Sequence, residues 1–300
     1  DGLGCVTGKP VTQGGVRGRK EATGLGVFYG IKELCRNKKW MDKVGLSTGV
    51  EGKTVVVQGL GNVGYHSAKF FRESGAKIIA IAEYNGSIYN ADGLNEEEVH
   101  QHRIKTGSII DFPGAQNLSN NDQALEMECD ILIPAALESV ITEENAGRIK
   151  AKIIAEAANG PVTVEADKIL NDKGVVIVPD IYLNAGGVTV SYFEWLKNLS
   201  HVRYGRMEKR FMENSNRGLL DHIDKVTGTK ATEDLMDKLA QGPEEVDLVY
   251  SGLEETMISS LNDILDTLDK HDDLTSLRTA AFALAIKKIG LAYLELGVFP

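Results

Sequence analysis

The sequence predicts an α/β fold: a doubly wound, Rossmann-like dinucleotide-binding domain followed by a helical C-terminal region. Three observations predict it. Short runs such as 55–57, 131–133 and 175–178 are apolar at every position, as in parallel strands covered by helices on both faces. Segments of helical periodicity separate these runs. One run, "VVVQGLGNVGYH", passes straight into Gly59-x-Gly61-x-x-Gly64, the spacing of a phosphate-binding turn between a strand and a helix.

The elements follow in order. Residues 19–37 read as a helix with Leu25, Phe28, Ile31 or the stem of Lys32, and Cys35 along one side. Residues 54–58 form a short apolar strand. Residues 62–74 are helical, and Gly75 is placed to end that helix. Residues 77–83 are a second strand, followed by the tight-turn pair Asn85-Gly86. Residues 96–105 read as a polar helix. "CDILIPAA" is a buried strand ending at Pro134, and 141–149 read as a helix. "KIIAEAANG" is a strand to about Ala157, 163–172 a helix and "VVIVPD" a strand. After Asn184 the strands stop. "GGVTVSYFEWLKNLS" opens a helical tail, and 206–250 are charged, with breaks at "TGTKATED" and "QGPEE". Leu261, Ile264, Leu265 and Leu268 mark an amphipathic helix, and 277–295 form an Ala-rich helix of high intrinsic propensity. The expected organisation is a dinucleotide-binding domain over 1–205, an exposed helical insertion over 206–250 and C-terminal helices over 251–300.

Composition narrows the function. Hydrophobic residues make up 42% and charged residues 25%, as in ordinary globular proteins. The net charge of −10 argues against nucleic acid or an anionic membrane surface as partner. No apolar run is long enough to span a bilayer. Cys5, Cys35 and Cys129 are far apart and show no Cys-x-x-Cys or Cys/His spacing. Neither a disulfide framework nor a metal site is expected, and the compartment reads as reducing. The chain opens on Asp1 in a glycine-rich stretch with no start signal. It reads as a piece of a longer protein, with any targeting peptide upstream.

The glycine turn has two readings, a phosphate cradle or a bare turn. A buried strand before it, a helix after it and an acid, Glu83, ending the second strand favour the cradle. Gly59 permits the turn, Gly61 lets backbone approach a pyrophosphate, and Gly64 lets the helix sit close to the strand. The helix N-terminus offers N–H groups and the positive end of its dipole. Glu83 would accept hydrogen bonds from the adenosine ribose, though an acid at a strand end is also often just solvated. Tyr84 and Asn85 follow it, with no Arg or Lys beside it, so NAD is favoured over NADP.

At "QGLGNVG", "AEAANGP", "GKPVTQGGVRGRKEATGLGVFYGI" and above all "PDIYLNAGGVTVSYFEWLKNL", the sequence resembles the hexameric glutamate dehydrogenases of the Glu/Leu/Phe/Val dehydrogenase family, most of all their longer animal-type form. The resemblance covers almost the whole chain. It implies NAD-linked oxidative deamination of L-glutamate to 2-oxoglutarate and ammonia, a homo-hexamer, and a mitochondrial matrix location. By the same resemblance, Thr23 approaches the nicotinamide carboxamide or nearby cofactor atoms. Gln58, Gly59, Leu60, Gly61, Asn62 and Val63, with Gly64, line the pyrophosphate and adenine ribose. Ala135 and Ala136 pack beside the dinucleotide, and Asn159 and Asn184 hold the nicotinamide ribose and carboxamide. Ser191 helps bind the side-chain carboxylate of glutamate, with Val188 shaping the floor and Arg19 nearby.

Plainer roles stand beside these. Asn159 and Asn184 suit turns or caps, Ser191 suits a helix cap, and Thr23 suits an ordinary helical position. Gly24 and Gly26 are poor helix formers, justified if something approaches that helix closely. The family's catalytic lysine, in a glycine-rich loop, and its aspartate have no counterpart here and are expected upstream of Asp1. Leu25, Lys69 and Glu73 stand where the mammalian form has arginines on an inhibitory purine nucleotide, and "SGLEETMISSLNDILDTLDKHDD" lacks the arginines of its activator site. The segment 206–250 is shorter than the family's antenna, so purine-nucleotide regulation is not carried over. Two other readings remain: a dehydrogenase for leucine, phenylalanine or valine, and a noncatalytic nucleotide-binding module.

Overall fold

A computed structural model describes residues 2–201, 204–205 and 208–297. Residues 206–207, at the start of the expected insertion, lie outside the described residues. In chain order the elements are α1 (Ala22–Arg36), α2 (Lys38–Val44), β1 (Thr54–Gln58), α3 (Asn62–Glu73), β2 (Lys77–Glu83), β3 (Gly86–Tyr89), α4 (Glu96–Thr106) and β4 (Gln116–Asn117). There follow α5 (Asn121–Leu125), β5 (Ile131–Pro134), α6 (Glu143–Ala146), β6 (Ile153–Ala155), α7 (Val164–Asp172), β7 (Val176–Val178) and α8 (Asp180–Leu183). The rest is helical: α9 (Gly186–Ser200), α10 (Lys209–Thr227), α11 (Glu233–Ala240), α12 (Glu245–Lys270) and α13 (Leu277–Leu296).

The chain forms two compact units. One comprises Glu21–Gly187 with Glu255–Pro300 and holds the sheet, in the order β4-β3-β2-β1-β5-β6-β7. β2, β1, β5, β6 and β7 run parallel. Val55, Val56 and Val57 are all fully buried, as a strand covered on both faces requires. Val56, Ala80, Leu132 and Ile154 pack in one cluster with Leu125 of α5, Ala146 of α6 and Leu170 of α7. α1 and α3 lie against each other, with Phe28 and Phe71 edge to face at 5.3 Å. Strand order reverses between β1 and β5, because β2 lies on one side of β1 and β5 on the other. Ligands of such sheets bind outside the carboxyl ends of the strands at that switch point.

The two edge strands break the parallel pattern. β3 pairs antiparallel with β2, and β4 with β3. Tyr84 and Asn85 alone link Glu83 to its partner Gly86, and a two-residue link can join only antiparallel strands. Two helices are shorter than the periodicity suggests. α1 starts at Ala22 rather than at residue 19, because residues 17–21, with Gly18 left-handed at φ +86°, form turns before it. α6 spans Glu143–Ala146, because Ile141 is bridged to Val162 and leaves the helix.

The other unit comprises Asp1–Lys20 with Val188–Glu254. The glycine-rich opening segment is therefore grouped with later helices and not with the sheet. Glu194 of α9, itself fully buried, accepts hydrogen bonds from the Gly8 and Lys9 N–H groups at 2.9 and 3.3 Å and pairs with the Lys9 ammonium at 2.7 Å. Burial opposes the charge on Glu194, but Lys9 and the two N–H groups outweigh it and hold the carboxyl below its usual range. α10 buries none of its residues and is tied to α11 by Arg217–Asp237 at 2.7 Å.

Candidate functional site

β1 delivers the glycine turn to the switch point, and its three glycines are needed for three different reasons. Gly59 is left-handed at φ +93° and abuts the loop after β5, where an added Cβ would sit 2.8 Å from Ala136 Cβ. Gly64 seals the helix onto the turn, since a Cβ there would lie 1.8 Å from the Gly59 carbonyl oxygen. Gly61 has ordinary backbone, at φ −77°, and a Cβ on it would meet nothing within 4 Å. Neither backbone strain nor packing asks for glycine there. What a side chain at Gly61 would occupy is the open space in front of the turn.

The surroundings fit a dinucleotide. No side chain caps α3, so the N–H groups of its first turn, at Asn62, Val63 and Gly64, face the turn with the positive end of the dipole. Gln58 Oε1 is buried and has no hydrogen-bond partner among the described residues. A buried acceptor left in this way suits a ligand that brings a donor. Ala135 continues the edge of the cradle, its N–H bonded to the Gln58 carbonyl at 2.8 Å.

Glu83 is fastened from both sides. Its carboxylate accepts the Leu60 N–H and lies 3.2 Å from Arg103 of α4. Arg103 also donates to the Leu60 carbonyl at 2.9 Å. Glu83 is only 7% exposed, so it is a held carboxylate and not the solvated strand-end acid. No cation is next to it in sequence, but one reaches it from 20 residues on.

Asn159 and Asn184 come together outside β6 and β7, where the Asn184 side-chain N–H donates to Asn159 Oδ1 at 2.7 Å. Thr23 is half-buried in the first turn of α1. What comes close to α1 is protein: a Cβ on Gly24 would lie 2.7 Å from Ser67 N of α3, and one on Gly26 would lie 3.0 Å from Gly186 Cα. Those two glycines therefore serve helix packing.

In the other unit, Arg19 Nε donates to Ser191 Oγ at 2.8 Å. α9 begins at Gly186, which puts Ser191 beyond the first turn and removes the capping role. Val188, one turn earlier on the same side, is 73% exposed.

The profile of the Glutamate/Leucine/Phenylalanine/Valine dehydrogenase family matches residues 14–238. The chain belongs to this family. Over 98% of its length it is 52% identical to the mitochondrial glutamate dehydrogenase of Dictyostelium discoideum, of which it spans 58%. Over 99% of its length it is 37% identical to a glutamate dehydrogenase of Thermotoga maritima, of which it spans 60%. Among solved structures it resembles the hetero-hexameric glutamate dehydrogenase of Thermus thermophilus in a leucine-bound form. That match has a TM-score of 0.72 and 26% identity, over 98% of this chain and 58% of the other. The chain thus spans little more than half the length of these dehydrogenases.

In this dehydrogenase-family chain Cys35 and Cys129 are buried and poorly disposed to form thiolates, while Cys5 is exposed. Burial pushes the Cys35 thiol up to about 11 and the Cys129 thiol up to about 12. Among the described residues no cluster of His, Cys, Asp or Glu could hold a metal ion, and no helix is long and apolar enough to cross a membrane. Leu25 is buried, and Lys69 faces Glu73 on α3 at 3.9 Å.

Proposed function

We propose that this chain forms the cofactor-holding part of an enzyme that deaminates L-glutamate oxidatively to 2-oxoglutarate and ammonia with a nicotinamide dinucleotide. The observation that carries the reading is Gly61, a glycine kept where neither backbone nor packing requires one, facing open space at the switch point. Family membership and the polar Arg19–Ser191 pair direct it to glutamate. A guanidinium and a hydroxyl suit a side-chain carboxylate, whereas leucine, phenylalanine or valine would call for apolar walls.

Bound NAD or NADP supplies the hydride acceptor. The chain's own groups do the rest of the holding. The turn from Gly59 to Gly64 receives the pyrophosphate in front of Gly61, at the N-terminal end of α3, and Gln58 Oε1 and Glu83 accept from ribose hydroxyls. Thr23, Asn159 and Asn184 orient the nicotinamide end, and Ala135 and Ala136 bound the dinucleotide. Arg19 and Ser191 hold the carboxylate of glutamate, with Val188 as floor. The proton-handling lysine and aspartate are read as lying on the part of the relatives' length that this chain does not span. A homo-hexamer and a mitochondrial location complete the reading: the hetero-hexameric Thermus structure supports six subunits, the family resemblance alone makes them identical, and the Dictyostelium relative supports the location.

NAD is the preferred cofactor and NADP is also accepted. Glu83 repels a 2′-phosphate, but the Arg103 guanidinium, 3.2 Å from that carboxylate, offsets the repulsion. Arg103→Ala is expected to weaken NADP more than NAD, changing their affinity ratio by about tenfold, the worth of roughly one charge-assisted hydrogen bond. Paired titrations of the two cofactors check this, and an unchanged ratio would remove Arg103 from cofactor choice.

The substrate assignment is tested by Arg19→Met and Ser191→Ala in the full-length protein. Each removes one contact to a charged carboxylate, about 1.5–3 kcal/mol, so KM for glutamate should rise at least about tenfold. KM for NAD should hold. If both constants move together, or neither does, the pair does not read the substrate.

A further inference from the structure

We propose that Arg278, on the C-terminal helix α13, is a positioning residue for the nicotinamide end of the cofactor, acting through the two asparagines. The proposal rests on the reading of Asn159 and Asn184 given above. Arg278 touches neither of them. Its guanidinium sits among three carboxylates: Nη2 donates to Glu156 Oε1 at 2.7 Å, Nε to Asp167 Oδ1 at 2.8 Å, and Nη1 lies 3.6 Å from Asp180 Oδ1.

Two of those carboxylates use their other oxygen on backbone next to the asparagines. Glu156, fully buried just beyond β6, accepts the Asp180 N–H at 2.9 Å. Asp180 accepts the Gly160 N–H at 2.7 Å. Gly160 is left-handed, at φ +52°, and follows Asn159 directly. At the other end of α8, the Asn184 N–H bonds back to the Asp180 carbonyl at 3.2 Å. One guanidinium therefore fixes the loop that carries Asn159 and the short helix that delivers Asn184, and the two side chains then meet at 2.7 Å.

Without the guanidinium, three carboxylates would face one another across one small space, and like charges so placed repel. A lysine restores the charge but not the geometry. Its ammonium is a point charge, whereas the planar fork of arginine donates to Glu156 and Asp167 in fixed directions and holds its third nitrogen within ion-pair distance of Asp180. Asp167 provides the internal contrast. It also binds Arg278, but its other oxygen accepts from Asn171 within α7 and leads nowhere near the asparagines.

The test compares NAD with ADP, which ends before the nicotinamide ribose, by titration calorimetry on the full-length protein. In Arg278→Lys, NAD should bind about tenfold more weakly while ADP stays within about twofold, since only contacts at the nicotinamide end are displaced. Asp167→Asn should leave both affinities within about twofold. An unchanged ratio of NAD to ADP affinity in Arg278→Lys, an equal loss of both ligands, or the same selective loss in Asp167→Asn would each overturn the proposal in favour of simple helix docking. Asn184→Ala separates the two levels. If it fails to weaken NAD selectively, the reading of the asparagines is wrong. If it weakens NAD selectively and Arg278→Lys does not, the asparagines stand and the positioning role falls.

Discussion

Gly64→Ala should abolish binding of the dinucleotide and lower the melting temperature. The added methyl would sit 1.8 Å from the Gly59 carbonyl oxygen and 2.9 Å from its carbon, so a backbone segment must move. That segment is poorly able to move. Its N–H is bonded to the Ala82 carbonyl at 2.6 Å, its φ of +93° already lies in the left-handed region, and Ala136 stands behind it. Overpacking of this kind costs about 3 kcal/mol or more when backbone is the obstacle. For a chain of this size that corresponds to a drop of about 5 °C or more. A thermal melt with a parallel NAD titration checks both effects. Normal melting and normal binding would mean that the turn is softer than its contacts imply.

The strands of this fold were legible because a buried parallel strand has a local signature. Val55 to Val57 are apolar on both faces, and that pattern needs no knowledge of partners. The glycine turn was legible for the same reason, since its spacing reflects one strand, one turn and one helix in sequence. The antiparallel edge was not. β4 is only Gln116–Asn117, both exposed, and β3 is four residues of mixed character. Such strands exist because a neighbour offers free backbone, which no local pattern records. The tight turn at Asn85-Gly86 was visible, but what followed it depended on β2 being there to pair.

Side-chain pairs across long separations were the least legible part of the site. Arg103 meets Glu83 from a polar helix whose sequence suggests only a solvated face. The signal lies in α4 having one arginine in a last turn that ends beside the cradle, and that position is a property of the fold. Arg278 is more than a hundred residues from Glu156 and Asp167, and nothing in "LRTAAF" marks it. Gly24 and Gly26 show the opposite failure. Their need for a close approach was correctly read from composition, but the approaching group is helix α3 and Gly186. Ser191 stands with Arg19 as the resemblance implied, while its capping alternative fell once α9 was seen to begin earlier.

Gly61→Ala tests the central claim most directly, because it separates the cradle from the turn. The backbone there accepts an L-residue, and the new methyl would meet no protein atom within 4 Å. Alanine is a poorer helix cap than glycine, but it also lowers the entropy of the unfolded chain, and the two effects are each about 0.5–1 kcal/mol and opposite in sign. The melting temperature should therefore stay within about 3 °C. A pyrophosphate seated on the turn would meet the methyl, at a cost of about 1.5–3 kcal/mol, so NAD should bind roughly 10- to 100-fold more weakly. The measurement is NAD titration calorimetry on Gly61→Ala beside the unmodified full-length protein, with a melt of each. An unchanged melt with NAD affinity down at least about tenfold is the predicted result. Unchanged affinity with an unchanged melt would show that nothing is bound in front of Gly61, and that the glycine sequence makes only a turn.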